Sequence, residues 1–308
     1  MCARWRREYR VVDHVSALLT DRMGSQMKHP HLSLAEIFTR AVLVFTVFVA
    51  LIIVLFPVFW IFSTSFKTIP ETYYFPPTLI PQEPTFEAYV RIWSIKNFSV
   101  YFKNSLIVST LSTTLSVSLA CLAAYGFSRF EFRGKRFLLF FFLMTQMVPA
   151  VLLLLPYFVM MRSLGLLNSY PALVFAYTSF ALPFCTWMLK GFLDSIPFEI
   201  DDAALIDGCS RLQALLRVVL PLTLPGIAAT TFFSFLVAWN HYLFALGLAT
   251  NPDMYTLPVG ISSTIGEFRV EWNALMAGAA VASVPTIVIY SFLERFFVQG
   301  LTAGAVKN

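Results

Sequence analysis

The sequence predicts an all-α, polytopic membrane protein with six transmembrane helices and one short helix pair left in water between the fourth and fifth. Three observations carry that expectation. Of the 308 residues, 58% are hydrophobic and 13% charged, with 32 Phe, more apolar side chain than a water-soluble domain of this length has core to hold. Six intervals without Asp, Glu, Lys or Arg run for 22 to 35 residues, and about 20 residues suffice for a helix to cross a hydrocarbon core roughly 30 Å thick. The intervals are continuously apolar, whereas strands of a membrane barrel alternate over about ten residues.

In this reading residues 1–40 are a cytoplasmic segment, 41–299 the six-helix domain and 300–308 a cytoplasmic tail. The expected spans are 41–63, 105–127, 137–160, 169–189, 225–248 and 273–293. The first is longer than the apolar stretch of a secretory signal, about 7–15 residues, and lacks a small-residue cleavage site, so it reads as a permanent anchor. In the second, Ser105, Ser109, Ser112 and Ser116 repeat on one helix face, either as the wall of a polar passage or, the reading favoured here, as small side chains for close helix packing. Pro149 and Pro156 interrupt the third, Pro183 the fourth and Pro285 the sixth, and each removes a backbone hydrogen bond and permits a bend. The run AGAAVAS at 277–283 in the sixth is expected to pack.

Charge sets the orientation. The segments 1–40, 128–136, 190–217 and 294–308 hold 16 of the 22 basic residues, so both termini are expected in the cytoplasm. That asymmetry accounts for the net charge of +5 without a nucleic-acid partner. The arginines of RWRREYR (Arg4, Arg6, Arg7, Arg10) could also touch anionic membrane lipid.

What the spans lack excludes several functions. With no Asp, Glu, Lys or Arg in any of the six, there is no buried acid for a proton-coupled carrier or an intramembrane aspartyl protease to use. The one histidine of the spans, His241, has no second ligand nearby, since His14, His29 and His31 all lie in the N-terminal segment, so no metal site is expected. Cys2, Cys121, Cys185 and Cys209 have neither metal nor redox spacing and read as free thiols. No Ser/His/Asp set or carboxylate pair of an enzyme can be assembled at one membrane depth. Gln146, Asn240 and His241 are the polar candidates for lining a solute path, although a buried amide more commonly bonds a neighbouring helix.

The informative stretch is SIPFEIDDAALIDGCSRLQALLRVVLPL at 195–222. Ser195, Pro197 and Glu199 are helix-start signals, and Glu199, Asp201 and Asp202 suit the positive end of a helix dipole. Gly208 stops that helix, and Ser210 is placed to cap the next. Ala203 and Ala204 leave one side of the first helix open to a closely fitting surface. Leu212, Leu215, Leu216 and Val219 recur at helical spacing, an expected apolar face toward the bundle. Pro221 and Pro225 then turn the chain into the fifth span. The whole is a short docking helix tied to a membrane helix.

Asp202-Ala203-Ala204-x3-Gly208-x9-Val218-x-Leu220-Pro221 resembles the EAA-x3-G-x9-I-x-L-P signature of permease subunits of binding-protein-dependent ABC importers, with Asp for Glu and Val for Ile. YYFPPTLIPQEPTFEAY (73–89), NSLIVST (104–110), AYGFSRFEFRGK (124–135), AWNHYLFAL (238–246), TLPVGI (256–261) and GLTAGAVKN (300–308) are similar to the MalG-like half of carbohydrate importers. The resemblance covers nearly all of 35–308, with Asn308 where Gly is usual, and leaves the role of residues 1–30 unplaced. It implies the type I importer permease fold, with its core at about 103–295, in a bacterial inner membrane. It implies that Glu199, Asp202, Ala203, Ala204, Asp207, Gly208, Leu220 and Pro221 belong to a helix that couples to a cytoplasmic ATPase, and that the tail Ala303, Gly304, Ala305 and Val306 approaches the ATPase too. The implied partners are a MalF-like second permease, a MalK-like ATPase dimer and an extracytoplasmic solute-binding protein.

The chain is not expected to hydrolyse ATP or to carry a cofactor. Its one Gly-Lys, Gly134-Lys135, is followed by Arg136 and lacks the earlier Gly of a phosphate-binding loop, so ATP would be bound by the partner ATPase. The competing function is a secondary transporter or channel working without an ATPase. Such a protein has no reason to keep the 202–221 signature.

Overall fold

The computed structural model of the protein describes residues 34–94, 97–266 and 270–305. The chain divides after Val58 into two compact units. The described part of the first, residues 34–58, is the larger portion of a helix α1, Leu34–Ser65. Its side chains from Phe38 to Val58 are exposed, including Phe45 at 66% and Ile53 at 66%, so this stretch is apolar nearly all round, as hydrocarbon rather than water requires.

The second unit is almost wholly helical, and among the described residues its only β pairing is one antiparallel bridge, Ile265 to Val270. In order it contains α2 (Glu87–Ser94), α3 (Phe98–Arg129), α4 (Lys135–Met144), α5 (Ala150–Ser163), α6 (Tyr170–Asp194), α7 (Phe198–Ile206), α8 (Arg211–Ala214), a π-helical turn (Leu215–Val219), α9 (Leu220–Leu222), α10 (Leu224–Trp239), α11 (Leu243–Leu248), α12 (Leu257–Ser262) and α13 (Trp272–Ala305).

Among the described residues, four helices are long and apolar enough to cross a membrane: Phe38–Ser65, Phe98–Arg129, Tyr170–Asp194 and Trp272–Phe296. Two further stretches qualify as bent pairs, Lys135–Met147 with Ala150–Ser163 at 97° and Arg211–Leu222 with Leu224–Trp239 at 84°. The count reaches the expected six when each bent pair is taken as one crossing.

Two expected spans are corrected, one by a bend and one by a break. Residues 137–160 are not one straight helix, because Pro149 forces its predecessor out of the helical region: Val148 is extended at φ −73°, ψ 121°, and a new helix starts at Ala150. Pro156, Pro183 and Pro285 sit inside helices that continue through them. The expected span 225–248 ends at Trp239, breaks over Asn240–Tyr242 and resumes as the short α11.

α3 and α6 pack along their length and α10 lies against both. Small side chains make this close approach possible. Ser105, Ser109, Ser112 and Ser116 of α3 are all at most 2% exposed, and Ala120 and Ala124 of α3 meet Ala181 and Cys185 of α6 in one apolar cluster. The hydroxyl stripe is therefore a packing face. Cys121, Cys185 and Cys209 are free thiols, and Cys2 lies outside the described residues.

The end of α3 at Phe98 is tied to the loop before α12. The Asn104 amide donates to the Asp253 and Tyr255 carbonyls at 2.8 and 2.9 Å, and the Leu257 N–H donates to Ser105 Oγ at 2.7 Å. Nearby, Lys67 is 2% exposed, donates to the Thr78 carbonyl and lies 4.5 Å over the Trp60 ring. Burial holds the Lys67 ammonium below the usual lysine range, with the Glu71 carboxylate opposing that shift. Glu71 itself accepts from Thr78 Oγ1 and Gln82 N–H at 2.7 and 2.9 Å, so this loop is folded around paired polar groups.

A packing role for the serine stripe has a measurable consequence. Ser112→Leu is expected to lower stability by about 1–3 kcal/mol, since extra methylenes in a filled interface force side chains off their rotamers. Ser112→Ala should leave both thermal unfolding and transport near wild type, and a large loss of uptake in that variant would restore the passage reading.

Candidate coupling site

Between α6 and α10 the chain leaves the bundle and returns. Ser195 closes α6, its Oγ donating to the Phe192 carbonyl at 2.7 Å, so it ends one helix rather than starting the next. Pro197 occupies the N-cap of α7, and Glu199 and Asp201 fall in its first turn. The helix ends as expected. Asp207 N–H bonds Ala203 O and Cys209 N–H bonds Ala204 O, each at 3.0 Å, around Gly208 at φ +84°. Positive φ is what glycine supplies at low cost at this position. An added Cβ would meet nothing within 4 Å, so the demand for glycine here comes from the backbone alone.

Ser210 begins the next helix with reciprocal bonds, Gln213 N–H to Ser210 Oγ at 3.3 Å and Ser210 N–H to Gln213 Oε1 at 2.9 Å. The four-residue α8 then widens into the π turn Leu215–Val219. That turn breaks the expected apolar register. Leu215 and Val219 are buried at 2% and 0%, but Leu212 and Leu216 are exposed at 56% and 54%, because a π turn carries more residues than an α turn and so shifts the faces of the residues around it.

The predicted coupling residues separate by face. Glu199, Asp202, Ala203, Asp207 and Gly208 are exposed, next to the exposed apolar side chains of Phe198 and Ile206. Ala204 is buried, Leu220 packs at the edge of the cluster formed by Leu189, Leu193, Leu215 and Val219, and Pro221 is exposed within α9. One surface thus offers carboxylates around a small, flat patch with apolar flanks. Ala204 seats the helix from behind.

Asp201 was not expected to matter separately, yet it is the buried acid of α7. Its Oδ2 pairs with Arg129 Nε at 2.8 Å, side chains 8% and 2% exposed, and its Oδ1 accepts from the Tyr125 hydroxyl at 2.8 Å. Arg129 also donates to the Ile196 carbonyl at 3.1 Å and lies 4.7 Å from the Phe198 ring. Beside it, Ser128 Oγ donates to Asp194 Oδ1 at 2.7 Å, and Asp194 pairs with Lys190 at 2.5 Å. No signal in the sequence separates Asp201 from Asp202: successive helical residues point about 100° apart, and Asp202 and Ala203 show that two neighbours can both be exposed.

Of the path candidates, Gln146 and His241 both meet Phe180 of α6. Gln146 is exposed and donates to the Phe180 carbonyl of α6 at 3.0 Å. His241 is half-buried, stacked on Tyr177 at 4.7 Å and edge-on to Phe180 and Phe244. Asn240 donates to Leu236 O in its own helix and opens instead on a cleft of about 440 Å³ walled by Ile261, Ser283 and Thr286. Among the described residues no group of three or more His, Cys, Asp or Glu could hold a metal ion. Ala303, Gly304 and Ala305 end the backbone of α13, and Val306 lies outside the described residues.

The bundle thus presents α7 as one short, acid-flanked helix between membrane-spanning stretches. Residues 116–303 match the family described as binding-protein-dependent transport system inner membrane component, and the chain belongs to that family. The chain is 40% identical to the sulfoquinovosyl glycerol transport system permease protein SmoH of Agrobacterium fabrum, over 82% of this chain and 89% of that one. It is 36% identical to the trehalose/maltose transport system permease protein MalG of Thermococcus litoralis, over 89% and 99%. Its fold matches, at a TM-score of 0.75 and 23% identity over 87% of this chain and 99% of the other, a chain from the crystal structure of a bacterial ABC transporter involved in the import of alginate, an acidic polysaccharide. The protein is a permease subunit of an ABC importer, a membrane transport component and not itself an enzyme. A channel or secondary transporter is not favoured by these relationships.

The backbone origin of the Gly208 requirement is testable. Gly208→Ala should destabilise the end of α7 by about 1 kcal/mol and Gly208→Asn by less, because asparagine tolerates the left-handed region. Limited proteolysis at 206–210 reads this directly, and equal protection in both variants would contradict it.

Proposed function

We propose that this chain forms half of the transmembrane pathway of a carbohydrate-type importer, with both termini in the cytoplasm and α7 seated in a cleft of a cytoplasmic ATPase. The observation that carries the reading is the exposed face Glu199, Asp202, Ala203, Asp207 and Gly208 on a helix whose opposite side is buried and bonded. Support for the solute class comes from relatives named for sulfoquinovosyl glycerol and for trehalose and maltose. Support for the orientation comes from the basic residues, 16 of 22 on the side of this loop and the termini.

In this reading a MalF-like permease completes the pathway, a MalK-like ATPase dimer binds ATP, and an extracytoplasmic binding protein delivers the solute. The tail Ala303 to Val306 lies on the ATPase side. ATP-driven closure of the ATPase dimer displaces α7, the displacement passes into the membrane helices, and the cavity between the permeases turns toward the loaded binding protein. A ligand can drive such a change only through contacts that differ between two states, and the docked face of α7 supplies them. Gln146, Asn240 and His241 are candidate contacts of the solute path.

Ala203→Asp places a charge in the flat centre of the docking face. In proteoliposomes holding the assembled importer, this variant should insert normally and lose solute uptake, with ATP hydrolysis no longer stimulated by the loaded binding protein. Normal uptake at equal abundance would overturn the reading.

A further inference from the structure

On the reading that α7 is the docking helix, its covalent route into the membrane runs through Gly208, α8, the π turn and an 84° bend before α10 begins. That route is short on stiffness. Gly208 is the least restrained residue type, and a π turn and a bend are places where the helical ladder is interrupted.

A second, non-covalent route is far stiffer. Asp201, buried where its neighbour Asp202 is exposed, is held by Arg129 and Tyr125, both on α3. Arg129 reaches the Ile196 carbonyl between α6 and α7, and Ser128 bonds Asp194 in the last turn of α6. Three helix ends meet at one arginine. From there α3 runs 32 residues, packed along α6, to the bonds of Asn104 and Ser105 with the Asp253–Leu257 loop at its other end.

We infer that Arg129 and Asp201 are positioning residues for coupling: their ion pair, completed by Tyr125, makes α7 move as one body with α3 and α6, so that displacement of the docking helix reaches the far side of the membrane along α3 and not only through α10. A buried pair with extra hydrogen bonds on both partners is strongly resisted from separating, because either charge alone would be left desolvated. The cluster also explains why one of two adjacent acids faces inward while its neighbour remains free for the ATPase.

The test uses the complete importer, this chain with its second permease, ATPase and binding protein, in proteoliposomes. Spin labels at Ile200→Cys on α7, half-buried and outside the docking face, and Leu122→Cys on α3, exposed, report the distance between the two helices with and without a non-hydrolysed ATP analogue. With the clamp intact the distance should not change. In Asp201→Asn and Arg129→Ala it should broaden or shift, and solute moved per ATP hydrolysed should fall by about tenfold, within the range of ordinary coupling energies, while assembly with the ATPase persists. The double variant Arg129→Asp with Asp201→Arg should recover part of that ratio, which ties the loss to the pair rather than to either side chain alone. Arg129→Lys keeps the charge and serves where the alanine variant does not accumulate, with an intermediate ratio expected. A distance that changes on ATP binding in the intact clamp, or unaltered coupling in Asp201→Asn, overturns the inference. Failure of Ala203→Asp to uncouple would instead overturn the docking assignment, so the two outcomes remain distinct.

Discussion

A guanidinium and a carboxylate 2.8 Å apart, both nearly sealed from solvent, fix the geometry on which the rest of this molecule depends. The charge-free intervals leave their helices to close packing and a few neutral hydrogen bonds such as Gln146 to the Phe180 carbonyl and Trp239 to the Ala282 carbonyl, which in lipid are individually weak. At the end of α3 the situation changes. Arg129 leaves the apolar interval and meets a carboxylate, a hydroxyl-bonded partner and a carbonyl in a setting of low polarity, where removal of one partner costs about 3–5 kcal/mol. A helix placed by that cluster has a defined azimuth. Asp201 is held inward, and Asp202 and Ala203 are left exposed.

Much of this was legible in the residues. Charge-free intervals located each apolar stretch, since a span must exclude ionisable groups wherever it meets hydrocarbon. The stop at Gly208 and the cap at Ser210 were legible because each rests on local chemistry, a left-handed residue and a reciprocal side-chain bond. What could not be read depended on tertiary contacts. Pro149 bends its chain by 97° while Pro183 and Pro285 sit in continuing helices, although all three lack the same N–H. Leu212 and Leu216 shared a spacing with Leu215 and Val219, and the π turn separated them. Asp201 and Asp202 are chemically identical. Only the approach of Arg129, some seventy residues earlier in the chain, decides which one is buried.

Rigid and yielding parts then sort themselves by the same physics. Where α3 meets α6, serines and alanines bring the backbones close, and a close-packed interface cannot shear without opening voids. Where Val148 turns extended before Pro149, the helical ladder is interrupted, and at Thr223 the chain bends while its N–H still bonds the Val219 and Leu220 carbonyls. A two-state transporter needs both kinds of region: blocks that keep their shape, and a few residues that absorb the rotation. The Thr223 junction is braced by its own hydroxyl, which donates to the Val219 carbonyl at 2.7 Å, leaving a bend of defined rest angle rather than a loose tether. With α7 clamped to α3 and α6, the 84° junction lies between that block and α10. In the proposed cycle it is therefore the place where motion of the docking helix is converted into relative motion inside the membrane, and the coupling element acts by moving a block against α10 instead of by pulling α10 along its own axis.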